Sequence, residues 1–365
     1  MEKLKELLNY LEEKIDIDHV SKTRILTADC LEYKDTGRHL MKIGYPQSKF
    51  PRYSYRSTTT DMGKMLYNEL ESCIVCIEAK DDSLPMVRAN YGVGTLPSLF
   101  GLHSRIVNDN LPWVDHIDDI DDVKRLVDKG IPDLDTGFGK RVIETYEYYN
   151  EILSEYPKCH EAIALYHADL QGPLDVSHLI MGSDIYYAIY DEPELVKELM
   201  KLVTETYILY LKRMKKYIND EWNDYCSHWG TLYAGKTVIR NDSTVNLSKD
   251  VYFEFVKPYD ERILTELGSG SIHFCGRADQ WVLDMTETKN LKALNFGYMP
   301  NLEFGQKYLE FIYPAYSEKK VGICAYTLDK SEIPAFDFEK YKKGITYQTS
   351  FDSLPEAEEY LASIR

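Results

Sequence analysis

His273 and Cys275 are the residues whose types and spacing point most directly to chemistry. They stand in the run Ser271-Ile272-His273-Phe274-Cys275-Gly276. In a strand, side chains alternate with period two, so the imidazole and the thiol project to the same face. A same-face histidine and cysteine supply half of a tetrahedral zinc site. Gly276 lets the chain turn sharply at the strand end, where active sites of parallel α/β proteins lie. A further cysteine, Cys324, stands near the end of the later run Val321-Gly322-Ile323-Cys324-Ala325-Tyr326. Where neighbouring strand ends converge on one mouth, His273, Cys275 and Cys324 with an open fourth position make a catalytic zinc site rather than a structural one. Such a zinc lowers the pKa of a bound thiol and delivers it as thiolate. The plain alternative is a core histidine beside buried thiols.

Other polar groups fall at the ends of expected strands. Asp242, in Asn241-Asp242-Ser243, has four readings: helix N-cap, metal ligand, partner orienting His273, or catalytic base. Asn90 and Tyr91 precede Gly92, and His167 and Asp169 occupy another strand-to-helix turn. Asn90, Tyr91, His167 and His228 are the expected lining of a substrate pocket. His228-Trp229 alternatively packs in an insertion ahead of the Asp242 strand. Cys73-Ile74-Val75-Cys76 is a C-x-x-C inside an apolar helical stretch, without a second pair nearby, and reads as buried packing.

These groups need elements to hold them. Strands are expected at Met86–Asn90, Ala162–His167, Thr237–Asn241, Ser271–Cys275, Leu291–Phe296, Val321–Tyr326 and Ile345–Thr349, with a further short one at Cys226–Trp229. Helical patterns cover Thr60–Ala79, Lys140–Glu155, Pro193–Ile218, Lys249–Leu267, Asp279–Thr288, Phe304–Tyr316 and Pro355–Ile364. Repeated strand–helix units with short apolar strands imply a parallel sheet, and their number favours a closed (β/α)8 TIM barrel over an open doubly wound sheet. Residues 1–60 read as an N-terminal helical extension, a helix to about Ile15 followed by polar, irregular sequence, and residues 61–365 as the barrel. The extension either lids the barrel or mediates a homodimer.

Composition excludes several classes. With 60 acidic against 43 basic residues, the net charge of −17 argues against nucleic acid, which needs clustered Lys and Arg. The denser acidic run at Asp115–Asp122 reads as a solvated surface. No apolar run is long enough to span a membrane. The first residues form an amphipathic pattern without a signal peptide's apolar core, so a cytoplasmic location is expected. The seven cysteines lack the spacing of a disulfide framework and are expected to be reduced. No G-x-G-x-x-G or P-loop pattern occurs.

The chain resembles the uroporphyrinogen decarboxylase superfamily, which includes cobalamin-dependent methyltransferases, over roughly residues 84 to 364. The landmarks are Gln171-Gly172-Pro173-Leu174 with Gly182, Asp191-Glu192-Pro193-Glu194-Leu195-Val196, Asn241-Asp242-Ser243, Leu247-Ser248 leading into Tyr252 to Tyr259, and His273-Phe274-Cys275-Gly276. The resemblance implies a (β/α)8 barrel. Decarboxylases of the family carry an Arg-rich N-terminal stretch that grips carboxylates. Here Pro51-Arg52-Tyr53-Ser54-Tyr55-Arg56 is a faint substitute. The methyltransferase branch carries His-x-Cys and a distant cysteine as zinc ligands, a pattern His273 and Cys275 match. That branch implies a cysteine on the last strand; Ile345–Thr349 has none, and Cys324 on the preceding strand is the expected substitute. The resemblance therefore implies a zinc-dependent methyltransferase, with a corrinoid (cobalamin) on a partner protein and a small methyl acceptor or donor. A decarboxylase of porphyrin metabolism, with Asp242 facing pyrrole N–H groups, and a non-catalytic corrinoid- or tetrapyrrole-binding barrel are the alternatives.

Overall fold

Short apolar strands separated by amphipathic helices are shielded on both faces only in a parallel sheet that those helices cover. The computed structural model, which describes residues 2–299, 302 and 304–365, has a mixed α/β fold of this kind. Its parallel strands are β1 (Leu40–Gly44), β2 (Met86–Val87), β3 (Ala164–Leu165), β4 (Val238–Arg240), β5 (Gly270–Cys275), β6 (Leu291–Gly297), β7 (Gly322–Thr327) and β8 (Ile345–Ser350). Six form one sheet in the order β1–β8–β7–β6–β5–β4, and β2 and β3 form a separate parallel pair. A parallel bridge between Gln171 and Arg240 ties the segment after β3 to β4. Beyond the other edge, the Asp82 N–H donates to the Met41 carbonyl at 3.2 Å.

The helices cover the outside. Pro193–Met214 buries Val196, Leu199, Met200, Val203, Tyr207, Tyr210, Leu211 and Met214, a repeat at helical spacing. Pro193 opens it, at a position whose N–H needs no partner. No helix of the described residues is long and apolar enough to cross a membrane.

Each strand expected from the sequence is present, with β2 and β3 shorter than their apolar runs. The helix expected at Thr60–Ala79 is broken in two, Met62–Glu71 and Ile74–Ala79, and three further expectations need correction. Residues 1–60 are not irregular after the first helix: Glu2–Lys14 is followed by the helix Ile17–Leu31 and then by β1, which pairs with β8 in the main sheet. Lys42 interrupts the apolar run of β1 and hid it; its ammonium turns inward and donates to the Trp229 carbonyl (2.7 Å). The expected helix Asp279–Thr288 is only a 3-10 turn at Asp284–Glu287; Trp281 is instead pinned by stacking on Tyr252 (4.2 Å, 7°). Lys249–Leu267 divides at Val256, because Pro258 follows within the first turn of the second helix.

An antiparallel insertion precedes β4: Glu221–Trp222, Tyr225–His228 and Thr231–Ala234. It accepts hydrogen bonds from around the inner face of the strands. Lys42 of β1 reaches the Trp229 carbonyl, the Leu84 N–H that of Gly230 (2.8 Å), and the Ser271 hydroxyl of β5 that of Ala234 (2.8 Å). The hairpin therefore packs against the main sheet, its last strand in contact with β5, β6 and β7.

Candidate metal centre

The site is built at the C-terminal ends of β4 and β5. His273 and Cys275 lie two residues apart on β5, and Asp242 follows β4 at the start of the turn Asp242–Asn246. The His273 Nε2 lies 3.3 Å from Asp242 Oδ1 and 3.5 Å from Cys275 Sγ. One ligand atom from each of the three residues falls within 4.8 Å of the others. Asp242 Oδ1 also accepts the Cys275 N–H (2.8 Å), which locks the turn to the strand. A Cβ at residue 297, the β6 partner of Cys275, would collide with the Cys275 sulfur, so Gly297 makes the room in which the thiol sits.

The tautomer of His273 follows from the hydrogen bonds behind it. The Asn295 Nδ2 donates to the Cys324 carbonyl (2.6 Å), a group that can only accept. The Asn295 Oδ1 therefore faces His273 Nδ1 (2.6 Å), which must carry the proton. In the neutral ring the Nε2 lone pair then points at a carboxylate oxygen and a sulfur. That geometry is favourable only with a proton or a metal cation among the three atoms, and a carbonyl- or amide-tethered histidine is the usual form of a metal ligand. Burial acts most strongly on Asp242, upward, but with the imidazole protonated its hydrogen bond and charge, together with the contacts with Cys275, outweigh burial and leave the carboxyl below its ordinary range. Burial, then the Asp242 charge, pushes the Cys275 thiol up to about 12. A bound cation reverses that logic and favours the thiolate. Carboxylate, imidazole and thiolate are all zinc ligands, and three of them leave a fourth position open.

Beneath Asp242, the buried Asp175 accepts the backbone N–H groups of Asp242 (2.7 Å) and Ser243 (2.8 Å). Burial first, and then the Asp242 charge, raises its pKa to about 8. The His178 Nδ1 meets the Ser243 hydroxyl at 2.7 Å. Asp242, Asp175, His178 and Ser243 line a cavity of about 370 Å³. A second cavity of about 510 Å³ is lined by Lys42, Arg52, Arg88, Asn90, Tyr166 and Trp229, among others.

The structure brings together only part of the ligand set expected from sequence, His273 and Cys275. Cys324 is outside the group: its buried thiol faces the Leu232 carbonyl of the inserted hairpin (3.8 Å). The β7–β8 register shifts between Ile323 and Tyr326, and Ala325 has a positive φ of 48°, so the strand bulges where the cysteine sits. Asp242 is the residue that stands beside His273 and Cys275 instead. Cys324→Ser is accordingly expected to leave the metal content of the purified protein unchanged; loss of metal on elemental analysis would return Cys324 to the ligand set.

The expected pocket residues separate. Asn90 lines the 510 Å³ cavity, its amide donating to Glu69 (3.0 Å). Tyr91 is not in the lining of either cavity; it is wholly buried, with its hydroxyl on Thr145 (2.8 Å) and its ring against Phe138. His167 and His228 are buried as well, their rings 4.5 Å apart, and burial holds both well below the ordinary histidine pKa. His228 belongs to the inserted hairpin itself, and its ring packs on that of His167. Asn295 and Asp175 escaped the sequence reading. A lone asparagine in the apolar run of β6, in register with His273, was the available signal. If the group holds a metal, Asn295→Ala is expected to weaken its binding by roughly 10- to 100-fold, measured by chelator competition, while the protein stays folded.

The fold and site together define an α/β protein with a six-stranded parallel sheet and an Asp–His–Cys group, suited to a metal ion, at adjoining strand ends. No protein-family model matches the chain, and no curated protein does. Among solved structures, a methyltransferase from Methanosarcina mazei shares the fold with a TM-score of 0.60 and 12% sequence identity, the match covering 93% of this chain and 97% of that one. At this identity the likeness shows a common fold.

Proposed function

We propose that this chain is a zinc-dependent methyltransferase of the uroporphyrinogen decarboxylase superfamily, moving a methyl group between a corrinoid carried by a partner protein and a small thiol or related acceptor. The single observation that carries the reading is the His273 Nε2 lone pair, facing Asp242 Oδ1 and Cys275 Sγ with Asn295 fixing the tautomer behind it. The fold shared with a methyltransferase and the His-x-Cys landmark support it. We read the main sheet, the β2–β3 pair and the Gln171–Arg240 bridge as one closed (β/α)8 barrel, whose strand ends form the mouth.

Asp242, His273 and Cys275 would hold the zinc, which when bound supplies Lewis acidity and keeps a small thiol ionised at neutral pH. The chain's own residues do the positioning. Asn295 holds the Nδ1 proton and so presents Nε2; Asp175 fixes the turn that carries Asp242; Gly297 keeps room beside the sulfur. The 370 Å³ cavity, with His178 and Ser243 on its wall, is the natural approach for the acceptor. The test is zinc-loaded protein with methylcobalamin and 2-mercaptoethanol or homocysteine, followed by mass spectrometry of the thioether. Transfer that depends on zinc supports the reading. Absence of transfer to and from cobalamin, in protein that retains zinc, sinks it.

One observation favours the decarboxylase as a second reading: Lys42, Arg52 and Arg88 all line the 510 Å³ cavity and suit a carboxylate. That reading predicts carbon dioxide release from uroporphyrinogen by metal-free protein.

A further inference from the structure

The tip of the inserted hairpin has a conformation its sequence does not favour. Trp229 and Gly230 both have positive φ, 42° and 81°. They form a two-residue turn between Tyr225–His228 and Thr231–Ala234, the kind that ordinarily takes Asn, Asp or Gly at its first position. A bulky aromatic with left-handed backbone is an outlier that persists only where its surroundings over-determine it. Here they do. Lys42 donates to the Trp229 carbonyl (2.7 Å), the Gly230 N–H meets Met86 Sδ (3.0 Å), and the Leu84 N–H donates to the Gly230 carbonyl (2.8 Å).

The ring so placed reaches the metal group. The indole meets the His273 imidazole edge-on, with centroids 4.6 Å apart and planes at 70°. On the indole sits the Arg240 guanidinium, 4.4 Å from the ring centroid. Arg240 is itself anchored by Asp169 and by His228 Nε2 (2.9 Å). Asn295 holds the imidazole at Nδ1 alone; Trp229 adds a packing contact against the ring itself. Trp229 is also only half-buried and lines the 510 Å³ cavity, which an aromatic serving core packing alone would not do.

We propose that Trp229 is a positioning residue: clamped between Arg240 and His273 at the tip of the inserted hairpin, it sets the plane in which His273 presents Nε2 to a metal ion. This rests on the metal reading of the Asp242–His273–Cys275 group. The role acts through another residue, so the readout must be the metal's own. Wild type, Trp229→Ala and Trp229→Phe are compared by zinc affinity, by chelator competition, and by the visible absorption of the cobalt(II)-loaded protein, with thermal unfolding in parallel. Trp229→Ala is expected to weaken zinc binding roughly tenfold or more and to alter the cobalt bands, while Trp229→Phe, which keeps an aromatic edge, restores most of both. Should Trp229→Ala fail to fold, Trp229→Leu carries the comparison with Trp229→Phe. Wild-type affinity and an unchanged cobalt spectrum in the aliphatic variant overturn the proposal, as does a folded Trp229→Phe that rescues neither. A wild type that takes up neither zinc nor cobalt strikes down the metal reading itself, and the role of Trp229 with it.

Discussion

His273→Ala is expected to abolish the metal binding proposed for the Asp242–His273–Cys275 group. Wild-type protein purified without chelator is expected to carry about one zinc per chain, and the variant none, by elemental mass spectrometry. The imidazole is the middle member of the group, within 3.3 Å of Asp242 Oδ1 and 3.5 Å of Cys275 Sγ, so its loss leaves a carboxylate and a thiol without the atom that joins them. Loss of an outer partner of a metal ligand costs about 10- to 100-fold in affinity, and loss of the ligand itself exceeds that. The pH dependence has a definite sign. In the metal-free protein the Cys275 thiol, pushed to about 12, is protonated throughout the neutral range. Metal uptake must release that proton, so apparent affinity rises by about tenfold per pH unit between roughly pH 7 and 9. A flat profile, or a His273→Ala variant that retains zinc, would remove the thiolate and the imidazole from the ligand set.

Asp169→Ala is expected to produce the largest loss of stability. Asp169 accepts Arg240 from β4, pairs with Arg88 at 3.4 Å, and takes the Gln171 amide at 2.9 Å. Arg240 is 2% exposed. Two guanidinium groups therefore share one buried carboxylate, and burial drives the Arg240 pKa down. Removing the carboxylate leaves an uncompensated buried charge beside another cation, a change that costs about 3–5 kcal/mol. Urea unfolding should show the loss. The double variant Asp169→Ala with Arg240→Met should recover a good part of it, since replacing both partners removes the orphaned charge. A single variant that loses less than about 1 kcal/mol would mean that water reaches the pair. Arg240 also lies over Trp229, so the same substitution should disturb the metal group; His273→Ala should leave this network intact.

The two results probe neighbouring parts of one interior. Arg240 of the Arg88–Asp169–Arg240 cluster pairs in register with His273, and Trp229 of the inserted hairpin touches both. That hairpin was legible only as a short strand at Cys226–Trp229. What it does there depends on neighbours far away in the chain, among them Lys42, Leu84 and Ser271.

By itself, the sequence determined what local periodicity and local chemistry control. Period-two alternation put His273 and Cys275 on one face of β5, and the end of the Thr237–Asn241 run put Asp242 at a strand end; both are properties of a few consecutive residues. Strand–helix alternation gave the parallel sheet for the same reason. Tertiary structure decided everything that required two distant segments to be measured against each other. Cys324 was sent away from the group by a bulge in β7 that only pairing with β8 reveals. Asn295 came to His273 through the register of β6 with β5, which no single run encodes. Tyr91, His167 and His228 became core because other segments cover them, and burial is a property of the packed whole. β1 was hidden by Lys42, whose charge marks an exposed position in an isolated run; it lies inside because the Trp229 carbonyl waits there to receive it.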